Sequence, residues 1–157
     1  MYDTPMTEDD AVTEIEAQVA LLLRLADRNR RATTRLATSL ERSAYLALRL
    51  LDTTGPSGIN EIADHLRLDA STVTRQVLAM EAAGYVTRER DAADGRRAVV
   101  TTTPAGVRAL AETRAARAEV YADVLADWSQ DDRRLLADLL TRLNDDLDAH
   151  GTRPDTG

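Results

Sequence analysis

The sequence predicts a mainly α fold with a small β-hairpin wing: a winged helix-turn-helix with N- and C-terminal dimerisation helices. Two observations carry this expectation. Helical segments are followed at once by two extended segments around an Asp/Gly turn, which is the element order of a winged helix. The leucines of 135–147, with Val120, Val124 and Leu125 nearby, then exceed what a small three-helix core needs, which points to an interface between copies.

From Ala11 to about Thr38 the pattern is helical, with Ile15, Val19, Leu22, Leu23 and Ala26 forming one apolar stripe. Leu40 to Leu51 is a second helix, with Ala44, Leu48 and Leu51 on one side and Tyr45 close by. Thr53 to Gly58 is a cluster of helix breakers. Asn60 is the expected cap of a short helix, Glu61 to Leu66, with Ile62, Ala63 and Leu66 facing inward. After a tight turn at Arg67-Leu68, Asp69 caps a helix from Ala70 to Ala83, which Gly84 ends by adopting the left-handed conformation. Val86 to Arg90 and Arg97 to Thr101 read as strands joined by a turn at Asp91 to Gly95. Thr103-Pro104 starts a long helix that runs to about Ala126. Ser129 to Asp132 resembles a capping box and opens a last helix bearing Leu135, Leu136, Leu139, Leu140, Leu143 and Leu147.

The 157 residues argue for a single domain at 11–150, with its winged-helix part at about 40–101 and dimerisation helices at about 11–38 and 104–148. Residues 1–10 and 151–157 read as disordered ends. With no cysteine, disulfides and thiolate metal sites are excluded, and with two histidines no nucleophile–base arrangement assembles, so no enzyme, cofactor or metal is expected. No apolar run approaches the roughly 20 residues of a membrane span. The acidic start, Met1 to Asp10, is no secretory signal, so a cytoplasmic protein without membrane partners is expected. The net charge of −7 looks wrong for a nucleic-acid binder, but residues 1–30 and 127–157 each carry −4, and the middle of the chain is close to neutral. All 20 basic residues are arginine.

On the helix 70–83, Val73, Val77 and Met80 share the face that anchors it. Ser71 and Arg75 point the opposite way, Thr72 and Thr74 flank them, and Gln76 is counted with them. Hydroxyls bond phosphates or base edges, and arginine pairs bidentately with guanine. The hairpin adds Arg88, Arg90, Arg96 and Arg97, a repulsive cluster that a DNA backbone or minor groove would explain. Asp94 is expected to hold the Arg96 side chain, with Gly95 supporting the turn. Double-stranded DNA is therefore the expected partner.

Ala70-Ser-Thr-Val-Thr-Arg-Gln-Val, Met80-Glu-Ala-Ala-Gly84-Tyr-Val, Arg90-Asp-Ala-Ala-Asp94-Gly-Arg96-Arg-Ala and Thr102-Thr-Pro-Ala-Gly106 together resemble the multiple-antibiotic-resistance regulator (MarR) family, over about residues 11–148. The resemblance implies a transcriptional regulator that is a homodimer built from the first and the last two helices. It implies major-groove contacts from the helix 70–83, Arg96 in a minor groove, and release from a pseudo-palindromic operator by a small aromatic or phenolic effector. Leu78 departs from the family pattern, which has a polar residue there, and the helix offers a single arginine. Val19, Leu22, Val124, Leu136, Leu139, Leu140 and Leu143 are the interface residues expected for the homodimer. Tyr45 and Arg49, one turn apart, are a weak pair for an aromatic carboxylate, against the plainer reading of a core tyrosine and a surface arginine. Asp145, Asp146 and Asp148 near His150 read as a solvated helix end rather than a metal site, and His65 as an exposed or packing residue. A second function stays open at this point: a winged-helix protein-interaction module without DNA binding, which the overall acidity favours.

Overall fold

The computed structural model describes residues 8–32 and 39–151. In chain order the elements are α1 (Glu8–Ala32), α2 (Arg42–Thr54), β1 (Ser57–Gly58), α3 (Ile59–Leu66), α4 (Ala70–Ala82), β2 (Val86–Arg90), β3 (Ala98–Thr102), α5 (Pro104–Val124) and α6 (Gln130–Gly151). Helix α1 starts three residues before the Ala11 expected from periodicity. The remainder of the expected N-terminal disorder, the 33–38 end of the first helix, and residues 152–157 lie outside the described residues. The chain divides into two compact units, Met1–Arg117 and Ala118–Gly157, so the boundary falls within α5.

In the first unit, the core is made by α2, α3, α4, the sheet and the start of α5. Ala47, Leu48 and Leu51 of α2 meet Ile62 and Ala63 of α3, Val73, Val77 and Met80 of α4, Val86, Val100 and Leu110. The helical spacing of these apolar residues decides which face each helix turns inward, and the hydrophobic effect does the rest at ~25 cal/mol per Å² of apolar area. The sheet is antiparallel with strand order β1-β3-β2. Its register sets Arg88 opposite Val100 and Arg90 opposite Ala98, while Ser57 and Gly58 pair with Val100 and Val99. The expected two-stranded hairpin is thus corrected to three strands. Strand β1 is two residues long and exists through its pairing with β3, so no local pattern announces it.

Two caps also differ from expectation. Gly58, not Asn60, caps α3, because Glu61 reaches back and its Oε2 accepts the Gly58 amide at 2.8 Å. Asp69 caps α4 as expected, and Gly84 follows with φ +78°. At the start of α5, Thr103 Oγ1 accepts the Gly106 amide at 3.1 Å and donates to the Gly84 carbonyl at 2.6 Å. Gly106 lies against the Tyr85 carbonyl so closely that any Cβ would overlap it. These contacts fix α5 to the turn between α4 and β2.

In the second unit, Ser129 caps α6 by accepting the Asp132 amide at 3.1 Å. Helix α6 buries none of its residues, and Leu135, Leu139, Leu140 and Leu147 are exposed.

Candidate nucleic-acid interface

The turn between α3 and α4 places α4 with Val73, Val77 and Met80 in the core and its opposite side in solvent. Ser71, Arg75 and Leu78 follow one another at i, i+4 and i+7 and are all exposed, so they form one stripe along the helix. The hydroxyls near them are already engaged. Asp69 takes a hydrogen bond from the Ser71 hydroxyl, one from the Thr72 hydroxyl at 2.6 Å and one from the Thr72 amide at 2.8 Å. Those bonds, the Ser71 hydroxyl first, hold the Asp69 carboxyl far below the usual carboxylate range. Thr74 donates to the Ala70 carbonyl at 2.7 Å. Three hydroxyl protons of α4 are therefore spent within the helix. The oxygens retain acceptor capacity, which suits a base amino group and not a phosphate. Arg75 Nη2 lies 3.5 Å from Thr72 Oγ1, the long limit of a hydrogen bond, and its guanidinium is exposed. Gln76 is half-buried beside the stripe rather than on it.

The four hairpin arginines stand in different situations. Arg88 Nε is 2.8 Å from Glu81 Oε2 of α4. Arg97 is ion-paired with Glu61 of α3. The Gly58 amide and then Arg97 lower the Glu61 carboxyl below its ordinary value, and Glu61 raises Arg97. Arg90 Nη1 approaches the Gly95 carbonyl at 3.4 Å. Arg96 is exposed, and its side chain has no ion pair among the described residues. The expectation that Asp94 holds the Arg96 side chain is corrected: Asp94 Oδ1 accepts the Arg96 backbone amide at 3.1 Å. A short carboxylate reaches the amide two residues on within its own turn far more easily than a long guanidinium. Asp94 thus shapes the wing tip and leaves Arg96 to point into solvent.

A cleft of about 550 Å³ separates α4 from the wing, lined by Glu61, Asp64, Thr74, Arg96 and Arg97 among others. Wing tip and α4 therefore flank one space. A second cleft, of about 470 Å³, lies between the start of α2 and the C-terminal half of α4. Ser39, Ala44, Arg75, Gln76, Met80 and Tyr85 are among its lining residues. Ser39 Oγ and Gln76 Oε1 are buried there without a hydrogen-bond partner among the described residues.

The Tyr45–Arg49 pair is not brought together as a site. Arg117 of α5 stacks over the half-buried Tyr45 ring at 4.1 Å, while the Arg49 side chain is exposed. Of the expected interface residues, Leu22, Val124, Leu139 and Leu140 are exposed and Val19, Leu136 and Leu143 half-buried. Sequence reasoning missed Glu61 and Glu81 as arginine partners. It also missed Thr113, whose buried Oγ1 accepts the Leu40 amide at 3.1 Å. Only the Gly58-x-x-Glu61 spacing carried a local signal for any of these.

This arrangement, a helix-turn-helix whose second helix faces solvent beside a three-stranded wing, defines a DNA-binding transcriptional regulator of the winged-helix class. A model of the MarR family matches residues 40–98. The chain is 35% identical to the HTH-type transcriptional regulator YxaD of Bacillus subtilis, over 88% of this chain and 96% of that protein. It shares 32% identity and a TM-score of 0.65 with a probable transcriptional regulator from Pseudomonas aeruginosa, covering 82% of this chain and 98% of that one. A MarR family protein from Bacillus stearothermophilus has the same fold, with TM-score 0.72, 24% identity, and 90% and 98% coverage. The protein belongs to the MarR family. These relatives do not favour the alternative of a protein-docking module.

Proposed function

We propose that the protein binds a pseudo-palindromic operator as a homodimer in the bacterial cytoplasm. Helix α4 would lie in the major groove and the wing against the minor groove. One observation carries this: Thr74 of α4 and Arg96 of the wing flank the same cleft, with Arg75 on the exposed stripe and Arg96 without an ion pair among the described residues. Arg75 is the base reader, able to grip a guanine edge in two places. Leu78 is free to meet a thymine methyl, since it is exposed beside Arg75. Ser71, Thr72 and Thr74 accept from base amino groups, and Arg90 and Arg96 meet the backbone and minor groove. The apolar faces of α1, the end of α5 and α6 are the surfaces that a second copy covers. Leu22, Val124 and Leu139, each more than half exposed, support this reading.

A small-molecule effector is part of the same proposal. RdhR-CbdbA1625, at 16% identity, was solved with 2,4-dichlorophenol bound, and 6-hydroxynicotinic acid regulates DNA binding by BpsR of Bordetella bronchiseptica, at 22% identity. In this chain the cleft holding Ser39 Oγ and Gln76 Oε1 suits a small hydroxylated ring better than Tyr45, whose face Arg117 covers. The test is selection of bound sequences from random duplex DNA at ~100 mM salt, where weak non-specific contacts are screened. The expected result is an inverted repeat with half-sites about 10 base pairs apart. A folded dimer that enriches nothing would overturn the operator reading.

A further inference from the structure

The wing face carries enough arginines to bind DNA strongly, yet two of the four are held in carboxylate contacts. Glu61 is positioned independently of its arginine, because the Gly58 amide fixes it at 2.8 Å. Arg97 lies flat across the start of α3: a Cβ on Gly58 would come within 2.7 Å of Arg97 Nε. The cleft between α4 and the wing therefore presents two cations, Arg96 and Arg97, beside two anions, Glu61 and Asp64. Such a lining has little net pull on a phosphate backbone. On the other flank, Glu81 of α4 holds Arg88 of β2 in the same way.

We infer that Glu61 and Glu81 are internal stand-ins for DNA phosphate that hold down sequence-independent affinity. The inference rests on the DNA-facing placement of α4 and the wing proposed above. Both pairs are open to solvent, with side chains about 35% exposed in Arg88–Glu81 and 44% and 48% in Arg97–Glu61. A phosphate can therefore reach and displace either carboxylate, since exposed ion pairs are weak. The displaced carboxylate is then left facing the DNA strand. The exchange swaps one anion for another and releases few counterions, so it adds little to the electrostatic term that drives non-specific binding. Discrimination is left to Arg75 and Leu78, and Arg96, which has no ion pair among the described residues, supplies the sequence-independent contact that remains.

The experiment measures binding of the full-length chain to a random-sequence duplex and to its selected operator as salt is varied. Glu61→Gln and Glu81→Gln are the test variants. Glutamine can still accept the Gly58 amide, so the cap of α3 survives. Glu89→Gln is the charge control: it removes the same charge from β2, on the opposite side of the strand from Arg88. Each test variant is expected to tighten random-duplex binding and to steepen the log–log salt slope by up to about 0.9 per freed arginine. The tightening should exceed that of Glu89→Gln and should shrink the ratio of operator to random affinity. In an Arg97→Ala background, Glu61→Gln should add no more than the charge control does. Equal gains with and without Arg97, or slopes that do not move, would overturn the inference while leaving the DNA reading intact. If no form of the protein binds duplex DNA at any salt, the DNA reading itself falls and takes this inference with it. Should Glu61→Gln fail to fold, the Glu81→Gln and Arg88→Ala cycle decides by the same readout.

Discussion

Asp69 and Arg75 show how the first two turns of one helix divide their work between stability and recognition. Asp69 accepts from Ser71 and Thr72 and so fixes the start of α4. Its folded-state carboxyl titrates below the ordinary 3.8, so the ionised form is the one that folding favours. The stability it contributes is complete above that ordinary value and is lost as pH falls from there toward the depressed folded value. Thermal melts from pH 5 to pH 2 should show wild type losing stability more steeply than Asp69→Asn, which has no charge to lose. Parallel curves would mean that the carboxylate bonds do not persist in solution. Arg75 belongs to the other task. Arg75→Ala is expected to lower operator affinity by ~1–3 kcal/mol and relax preference at one base position. Arg96→Ala should weaken all duplexes alike and flatten the salt slope. Competition titrations with operator and random DNA separate the two patterns.

At the scale of elements, the placement of α4 depends on contacts made by its neighbours. Helix α5 grips the approach to α2: Thr113 Oγ1 accepts the Leu40 amide at 3.1 Å, and Arg117 Nη2 reaches the Leu40 carbonyl at 3.4 Å. Leu40 and Thr113 are both buried, so the amide has no water to turn to if the hydroxyl is removed. Thr113→Val keeps the shape and should cost about 1–3 kcal/mol, read as a lower denaturant midpoint with unchanged slope. An unchanged midpoint would mean that the Leu40 amide finds another acceptor. Gly106 shows the same dependence in another form. Its Cα–H packs on the Tyr85 carbonyl, so α5 can leave the sheet at this angle only where no side chain intervenes.

For the whole molecule, the two ends of the chain pose one question: what covers their apolar residues. Ile15, Leu22 and Leu23 of α1 and Leu135, Leu139 and Leu147 of α6 are all more than half exposed. Soluble monomers seldom leave large apolar patches in water, so the exposed leucines of each helix call for a cover. In a twofold dimer each substitution acts twice, so Leu139→Asp should be disproportionately disruptive. If the proposed dimer forms through this face, sedimentation should find dimer for wild type and monomer for Leu139→Asp, and operator binding should fall to the level of a single half-site. A dimer that survives Leu139→Asp with unchanged affinity would place the interface elsewhere.

Much of this protein was legible before any coordinates. The bounds of β2, the Asp69 cap, the Thr103-Pro104 start of α5 and the inward faces of α2, α3 and α4 all follow from short-range rules. Apolar period, capping chemistry and glycine's left-handed freedom act within a few residues, so they can be read along the chain. The two-residue strand β1, the Thr113–Leu40 bond, and the partners of Arg88 and Arg97 could not be read this way. Each joins residues that are neighbours only once the chain has folded. Four hairpin arginines looked alike in sequence, and folding made two of them ion-paired and left Arg96 open. The sequence by itself determined the fold class and which face of α4 turns to solvent, because local pattern and element order suffice for both. Only the tertiary structure decided which charges on that face remain available, because a charge is neutralised by whatever the fold sets beside it.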